Sequence, residues 1–322
     1  MKKYINIFQF LVIIALAGII IAERQPQIAQ VEAAPVYNAA LPFQQLASYK
    51  VFTFEIPKEL DLAGEQVPLD DNEVLQRFDR EIHVNTYWNS STIFLMKRSN
   101  QWFPHLAPIL EEHNIPKDFL YLSLIESGLM NVKSPAGASG FWQLMEATAK
   151  ELGLEVNEEV DERYNAKKST EAACKYLANA HKKFGNWTNV AASYNMGMAG
   201  LQRSLMEQKA DSYYDLLLND ETSRYIFRIL AIKEIMENPA RYGYNIPSNH
   251  LYQQEKLTEL VVDKNIPDLT DFAIAQGINY KVLKNHNPWL RKKSLTIKKP
   301  GQAYTLLLPE KRFSLQNLVL NE

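Results

Sequence analysis

The stretch Pro116-Lys117-Asp118-Phe119-Leu120-Tyr121-Leu122-Ser123-Leu124-Ile125-Glu126-Ser127-Gly128-Leu129-Met130 decides how the chain is read. Pro116 suits the first turn of a helix, where its missing N–H has no intrahelical partner to lose. Asp118 complements the positive end of the helix dipole. From Phe119 onward the residues are apolar on nearly every face, which predicts a helix buried in a core. Glu126 is the exception. On a helix it neighbours Leu122 at i−4 and Leu129 at i+3, with Phe119 further along the same face. A carboxylate in that setting loses water, and desolvation raises its pKa by disfavouring the charged form. An acid that keeps its proton near neutral pH is what general-acid catalysis requires. The same spacing also fits a plainer role, in which Glu126 pairs with a basic residue and only holds the fold.

Outward from Glu126 the next segment is Ser134-Pro135-Ala136-Gly137-Ala138-Ser139-Gly140, a loop of small residues where backbone can approach a ligand closely. It leads into a helix expected over Gly140–Leu152 and opening Phe141-Trp142-Gln143-Leu144-Met145. There an aromatic plate, Trp142, stands beside an amide that both donates and accepts, Gln143, a pairing suited to a sugar. About fifty residues on, Ala191-Ala192-Ser193-Tyr194-Asn195-Met196-Gly197 brings a Tyr and an Asn to a helix end closed by glycine. Arg224-Tyr225-Ile226-Phe227 then opens another amphipathic stretch. Each of these motifs alone is common.

Taken together and in this order, Glu126-Ser127, Gly137-Ala138-Ser139-Gly140-Phe141-Trp142-Gln143-Leu144-Met145, Ala192-Ser193-Tyr194-Asn195-Met196-Gly197 and Tyr225-Ile226 resemble the four signature segments of soluble-lytic-transglycosylase-type (family 23) peptidoglycan lyases. Trp142 before Gln143 points to the membrane-bound murein transglycosylase branch. The resemblance covers roughly residues 75–245. It implies a mainly α protein with a lysozyme-like helical catalytic domain and Glu126 as the only catalytic carboxylate. It further implies substrate contacts from Ser127, Ser134, Gln143, Tyr194, Asn195 and Tyr225. Two positions depart from the family pattern: Glu146 stands where Pro is frequent, and Phe141 where Leu is frequent. An acid at 146 is favourable in the first turn of the following helix.

The rest of the chain is organised around that block. Lys2 and Lys3 precede an uncharged apolar run, Ile5–Ala22, which reads as a signal peptide or an uncleaved signal anchor. No cysteine follows it, so a lipoprotein anchor is excluded. Residues 23–53, with Pro26, Pro35 and Pro42 among Gln and Ala, read as a flexible linker. Residues 54–248 are expected to form the lysozyme-like domain, with its core at 100–240. Helical patterns run through Asp71–Phe78, Thr92–Lys97, Trp102–His113, Ser169–Phe184, Thr188–Tyr194, Gly197–Glu207, Asp211–Leu217 and Thr222–Glu237. Residues 249–322 then change character: a strand at Leu257–Val262, helices at Leu269–Gln276 and Tyr280–Asn285, and a strand at Ala303–Leu308. This small α+β unit, with Asn287-Pro288-Trp289 and Leu306-Leu307-Leu308-Pro309, weakly resembles a LysM peptidoglycan-binding module; a packing extension of the helical domain fits it equally. Its 281–312 stretch holds nine Lys and Arg residues against Glu310 alone. That is either a solvated face or a docking surface for an anionic polymer.

Composition sets the outer bounds. Of 322 residues, 46% are hydrophobic and 22% charged, which excludes a wholly disordered, collagen-like or polytopic membrane chain. The net charge of −2 offers no electrostatic case for a nucleic-acid partner. Cys174 is the single cysteine, so neither an internal disulfide nor a CxxC metal site can form, and no metal or organic cofactor is expected.

The expected chemistry follows from the lone acid. Ordinary glycosidases place two carboxylates across the scissile bond. Asp118 lies eight residues from Glu126, about 12 Å along a helix axis, too far for a retaining pair. The second group is therefore expected to come from the substrate. Glu126 protonates the oxygen linking N-acetylmuramic acid to N-acetylglucosamine, then takes the proton of the C6 hydroxyl as it attacks C1, leaving a 1,6-anhydromuramoyl end. The runner-up is a goose-type lysozyme-like hydrolase whose water-activating acid comes from elsewhere in the chain, for example Asp161 or Glu171. A non-enzymatic wall-binding protein of the same fold is the other alternative. The expected partner is the peptidoglycan glycan strand, with the membrane as a second if residues 1–22 are retained. The expected location is the periplasmic cell envelope of a bacterium, anchored or secreted. No motif points to a protein partner.

Overall fold

The computed structural model describes residues 51–310. The export segment expected at 1–22, nearly all of the linker at 23–53 and residues 311–322 lie outside the described residues. Within them the protein is mainly helical with two small two-stranded sheets, as expected. No helix among the described residues is long and apolar enough to cross a membrane.

A short hairpin comes first. Strands β1 (Asp61–Leu62) and β2 (Glu65–Gln66) pair antiparallel across Ala63 and Gly64. Both turn residues have positive φ (55° and 82°), which the twist of a two-residue hairpin favours. Helix α1 (Asn72–Tyr87) starts where Asp71 accepts the N–H groups of Glu73 and Val74. Helix α2 (Asn89–Glu112) runs unbroken through Pro104 and Pro108, where the sequence pattern suggests two helices divided near Arg98–Gln101. That polar stretch is a docking face: the Arg98 guanidinium donates to the Gly128 carbonyl, and Asn100 to that of Tyr252.

Helix α3 (Phe119–Ser127) carries the stretch quoted first. Phe119, Leu120, Leu122 and Leu124 are all buried, so the apolar-all-round pattern correctly marked a core helix. It packs against α2 and against the long helix α8 (Asp220–Glu237). Between them in sequence lie α4 (Glu146–Glu151), α5 (Ala166–Phe184), α6 (Trp187–Met196) and α7 (Met198–Gln208). Glu65 of the hairpin accepts the N–H groups of Trp187 and Thr188, fixing the start of α6. Phe78, Phe119, Leu122, Leu177, Ile226 and Leu230 lie in one shared core.

Two helical expectations are corrected. The helix expected over Gly140–Leu152 is confined to Glu146–Glu151; Gly140–Gln143 is a turn and Leu144 bridges to Ser139, because Gln143 takes a positive φ of 46° that no helix accommodates. The segment Asp211–Leu217 forms only a single 3₁₀ turn at Tyr213–Asp215, stopped by extended backbone at Leu216.

Strands β3 (Leu257–Val262) and β4 (Tyr304–Pro309) pair antiparallel, Leu257 opposite Pro309 and Val262 opposite Tyr304. Helices α9 (Leu269–Ala275) and α10 (Tyr280–His286) lie between them in sequence. The buried Asn287 side chain donates to the Leu307 carbonyl and accepts its N–H, both at 2.8 Å, tying the end of α10 to β4. A second core, with Leu269, Leu283, Leu290 and Leu306, fills this unit and also takes in Val160 and Tyr164.

Candidate active site

Glu126 occupies the last turn of α3, one residue before its end. The helix stops at Gly128, which is left-handed (φ 60°); a Cβ there would lie 2.9 Å from the Arg98 guanidinium. The chain can therefore turn away directly beyond Glu126 while Arg98 caps the helix's free carbonyl. Ser127 is buried, and its hydroxyl donates to the Phe141 carbonyl at 2.8 Å. It joins the Glu126 helix to the loop that carries Gln143.

The Tyr225 phenol, on α8, donates to the Glu126 carboxyl at 2.5 Å. Burial pushes the Glu126 pKa up; the Tyr225 hydrogen bond and the Arg228 charge oppose this, and the Glu221 charge adds to it. Glu126 forms no ion pair among the described residues and keeps partial exposure to solvent. Its environment is thus that of an acid held near its protonated form and still open to a ligand, not that of a structural salt bridge.

Tyr194, at the end of α6, donates to the Trp142 carbonyl at 2.7 Å and meets Tyr176 edge to face. Burial raises the Tyr194 and Tyr225 phenols well above their ordinary pKa. Both stay neutral and act as hydrogen-bond donors. Gln143 donates its amide to the carbonyls of Gly140 (2.8 Å) and Val132 (3.2 Å). The amide oxygen has no partner among the described residues. Ser134 accepts the Ala138 N–H at 3.0 Å and closes the small-residue loop. Asn195, on the last turn of α6, reaches Glu221 at 3.5 Å. Glu126 and Tyr225 therefore form a hydrogen-bonded pair, with Tyr194 close enough for the Glu126 charge to raise its phenol further and Asn195 in contact with Glu221. Gln143 and Ser134 sit on the adjoining loop, and Ser127 lies beneath it.

One expectation is corrected. Trp142 is fully buried and donates its indole N–H to Thr170 at 2.8 Å, so it is no platform for a sugar. It anchors the loop, and Gln143 beside it remains half-exposed. The acids weighed as water activators are placed as follows. Asp161 is buried in an ion pair with Arg163 at 2.8 Å. Glu171 lies on α5 and is half-buried. Among the described residues, Glu221 is the acid whose charge raises the Glu126 pKa. Asp118 is held by Lys233 at 2.6 Å and by the Ala63 N–H.

Glu221 and Arg228 were not singled out from the sequence. Their signal was present: four residues before and three after Tyr225, they share its face of α8.

Residues 109–217 match the transglycosylase SLT domain family, and residues 258–312 match the soluble lytic transglycosylase C-terminal LysM-like domain. Membrane-bound lytic murein transglycosylase D of Escherichia coli (strain K12) is 25% identical over 248 residues, 75% of this chain and 53% of that protein. Its counterpart in Escherichia coli O6:H1 gives the same values. The chain thus spans about half the length of these curated relatives. Among solved structures, an inactive mutant of the lytic transglycosylase Slt from Pseudomonas aeruginosa aligns with a TM-score of 0.36 at 19% identity, covering 47% of this chain and 26% of that one. The chain carries an SLT-type transglycosylase domain followed by a LysM-like domain, and it is a homologue of membrane-bound lytic murein transglycosylase D.

Proposed function

We propose that the protein is a peptidoglycan lytic transglycosylase that cleaves the β-1,4 bond from N-acetylmuramic acid to N-acetylglucosamine without water. The observation that carries this reading is the setting of Glu126: desolvated by burial, held by a neutral phenol, and in no ion pair among the described residues, with Glu221 reaching it by charge and not by a hydrogen bond. Tyr225 donates to Oε1, so the proton of the neutral acid resides on Oε2, where it can pass to the glycosidic oxygen. The acetamido group of the muramoyl residue steadies the charge growing at C1. Glu126, now a carboxylate stabilised by Tyr225 and Arg228, takes the proton of the C6 hydroxyl as that oxygen closes on C1. One bond to C1 breaks and one forms, and the proton lost to the leaving sugar is regained. An internal hydroxyl outcompetes water because tethering gives it a high effective molarity. Tyr194, Asn195, Gln143 and Ser134 hold the strand.

Residues 54–248 would supply the catalysis and 249–322 a grip on the wall, in the bacterial cell envelope. The homology to a membrane-bound murein transglycosylase supports that location. Incubating the purified protein with sacculi and reading the products by mass spectrometry tests the proposal. Anhydromuramoyl ends are expected from the wild type and none from Glu126→Gln. Reducing ends would identify a hydrolase, and binding with no soluble product a wall-binding protein.

A further inference from the structure

Besides Ser127 and Tyr194, a buried arginine holds the loop bearing Ser134 and Gln143. Arg163 is 5% exposed. Its Nε and Nη2 donate to Asp161 at 3.0 and 2.8 Å. Its remaining arm, Nη1, donates to the carbonyls of Gly137 (3.0 Å) and Leu144 (3.2 Å), one on each side of the turn. The Arg163 carbonyl fills the space where a Cβ on Gly140 would stand, 1.9 Å away.

The segment carrying Arg163 is laced on its other side to the C-terminal unit. The Asp161 N–H donates to the Trp289 carbonyl at 2.9 Å, and the Arg291 N–H to that of Glu159 at 2.8 Å. The Glu159 carboxylate accepts the hydroxyls of Ser294 (2.6 Å) and Thr296 (3.3 Å). The Tyr304 hydroxyl, on β4, donates to Glu155 at 2.8 Å. Val160 packs in the core of that unit.

We infer that Arg163 is a positioning residue through which the C-terminal unit holds the Gln143 loop against Glu126. The inference rests on the reading of Glu126 and Gln143 given above. The LysM-like unit thereby becomes part of the framework of the active site as well as a grip on the wall. The competing role for Arg163 is neutralisation of the buried Asp161, and lysine separates the two. Its single ammonium can neutralise Asp161, but it lacks the fork that reaches Asp161 and both carbonyls at once.

The experiment uses the full chain, with soluble uncrosslinked glycan strands as substrate and hydrogen–deuterium exchange as a second readout. Arg163→Lys and Arg163→Gln should lower kcat/KM equally, by about tenfold or more, although Arg163→Lys is the more thermostable. Amide exchange across 134–145 should rise in both, with α8 unchanged. Glu159→Ala alters contacts to the C-terminal unit alone and should raise exchange in the same loop. Wild-type exchange and turnover in Arg163→Lys would reduce Arg163 to a counter-ion and overturn the inference. So would a Glu159→Ala effect confined to 155–163 and the C-terminal unit. Full activity in Glu126→Gln would defeat the catalytic reading instead, and the exchange results would still decide the loop.

Discussion

The Tyr225 phenol donates to the Glu126 carboxyl across 99 positions of sequence, at 2.5 Å. This bond strengthens when Glu126 ionises, since a hydrogen bond to a charged acceptor is worth about 1.5–3 kcal/mol against about 1 for a neutral one. Tyr225→Phe should therefore slow turnover by about 2–30-fold, with little change in the fold, because the ring stays packed in the core. Steady-state kinetics on soluble glycan strands would show it as a fall in kcat. An unchanged kcat would remove Tyr225 from the mechanism.

The pH profile should report the charges around Glu126. The general acid must be protonated, so activity falls as pH rises through the raised Glu126 pKa. Tyr225 and Arg228 hold that pKa down, and Glu221 holds it up. Arg228→Gln should move the alkaline limb of kcat/KM to higher pH and Glu221→Gln to lower pH. Glu221→Gln should still yield anhydro products, since Glu221 is assigned no proton transfer. A switch to reducing ends, or loss of activity, would make it a second catalytic acid.

The same burial implies a stability effect of definite sign. The folded-state pKa of Glu126 lies above its unfolded value, so the folded protein binds the proton more tightly. The contribution of Glu126 to stability is then fully present below the unfolded pKa and is lost as pH rises through the folded one. Glu126→Gln should abolish turnover by about 10²–10⁴-fold and raise Tm relative to wild type above neutral pH. The gain should vanish near pH 4. A lower Tm for the variant at pH 8 would mean that Glu126 serves the fold.

Much of this was legible in sequence because it is local. Phe119–Ser127 is apolar on every face whatever it packs against, so a buried helix with one conspicuous acid could be read directly. The strand–helix–helix–strand order after residue 256 follows from Asp268, Asn279 and Gly277, which start and stop its helices. Trp142 was misread because its burial depends on Thr170, twenty-eight residues away, and because the positive φ of Gln143 breaks a pattern that looks helical. The single helix through Pro104 and Pro108 was divided for a related reason. Its polar stretch is explained by Gly128 and Tyr252, which only the fold brings near. Tyr225 was placed at the site as a substrate contact through family resemblance, while its bond to Glu126 and the hold of Arg163 on the loop depend on partners that only the fold brings near.

Lys233 is another group whose importance is tertiary. Its side chain is 9% exposed, and it donates to Asp118 at 2.6 Å and to Asp61 at 3.2 Å. It thus links α8, the start of α3 and the β1–β2 hairpin. Lys233→Met would leave Asp118 partly buried without its counter-charge, which costs about 3–5 kcal/mol in such settings. Urea denaturation at neutral pH should show that loss, and adding Asp118→Asn to Lys233→Met should recover much of it, because the uncompensated charge is then gone. No recovery would assign the effect to packing of the lysine stem.

Two glycines in the loop beside Glu126 make the last prediction, and their contrast isolates packing from backbone strain. Gly137 and Gly140 both have positive φ, 94° and 79°, so an alanine at either carries the left-handed penalty of about 1–2 kcal/mol. A methyl at 137 meets nothing within 4 Å, whereas at 140 it would fall 1.9 Å from the Arg163 carbonyl oxygen and 2.8 Å from its carbon. Those are backbone atoms, tied to the C-terminal unit through Asp161, and cannot swing aside like a side chain. Gly140→Ala should therefore destabilise at least twice as much as Gly137→Ala in denaturant titrations. It should also disturb the loop more, with higher amide exchange across 134–145 and a larger fall in turnover. Similar losses at the two positions would show that strain at φ dominates and that the segment around Arg163 yields more easily than its hydrogen bonds imply.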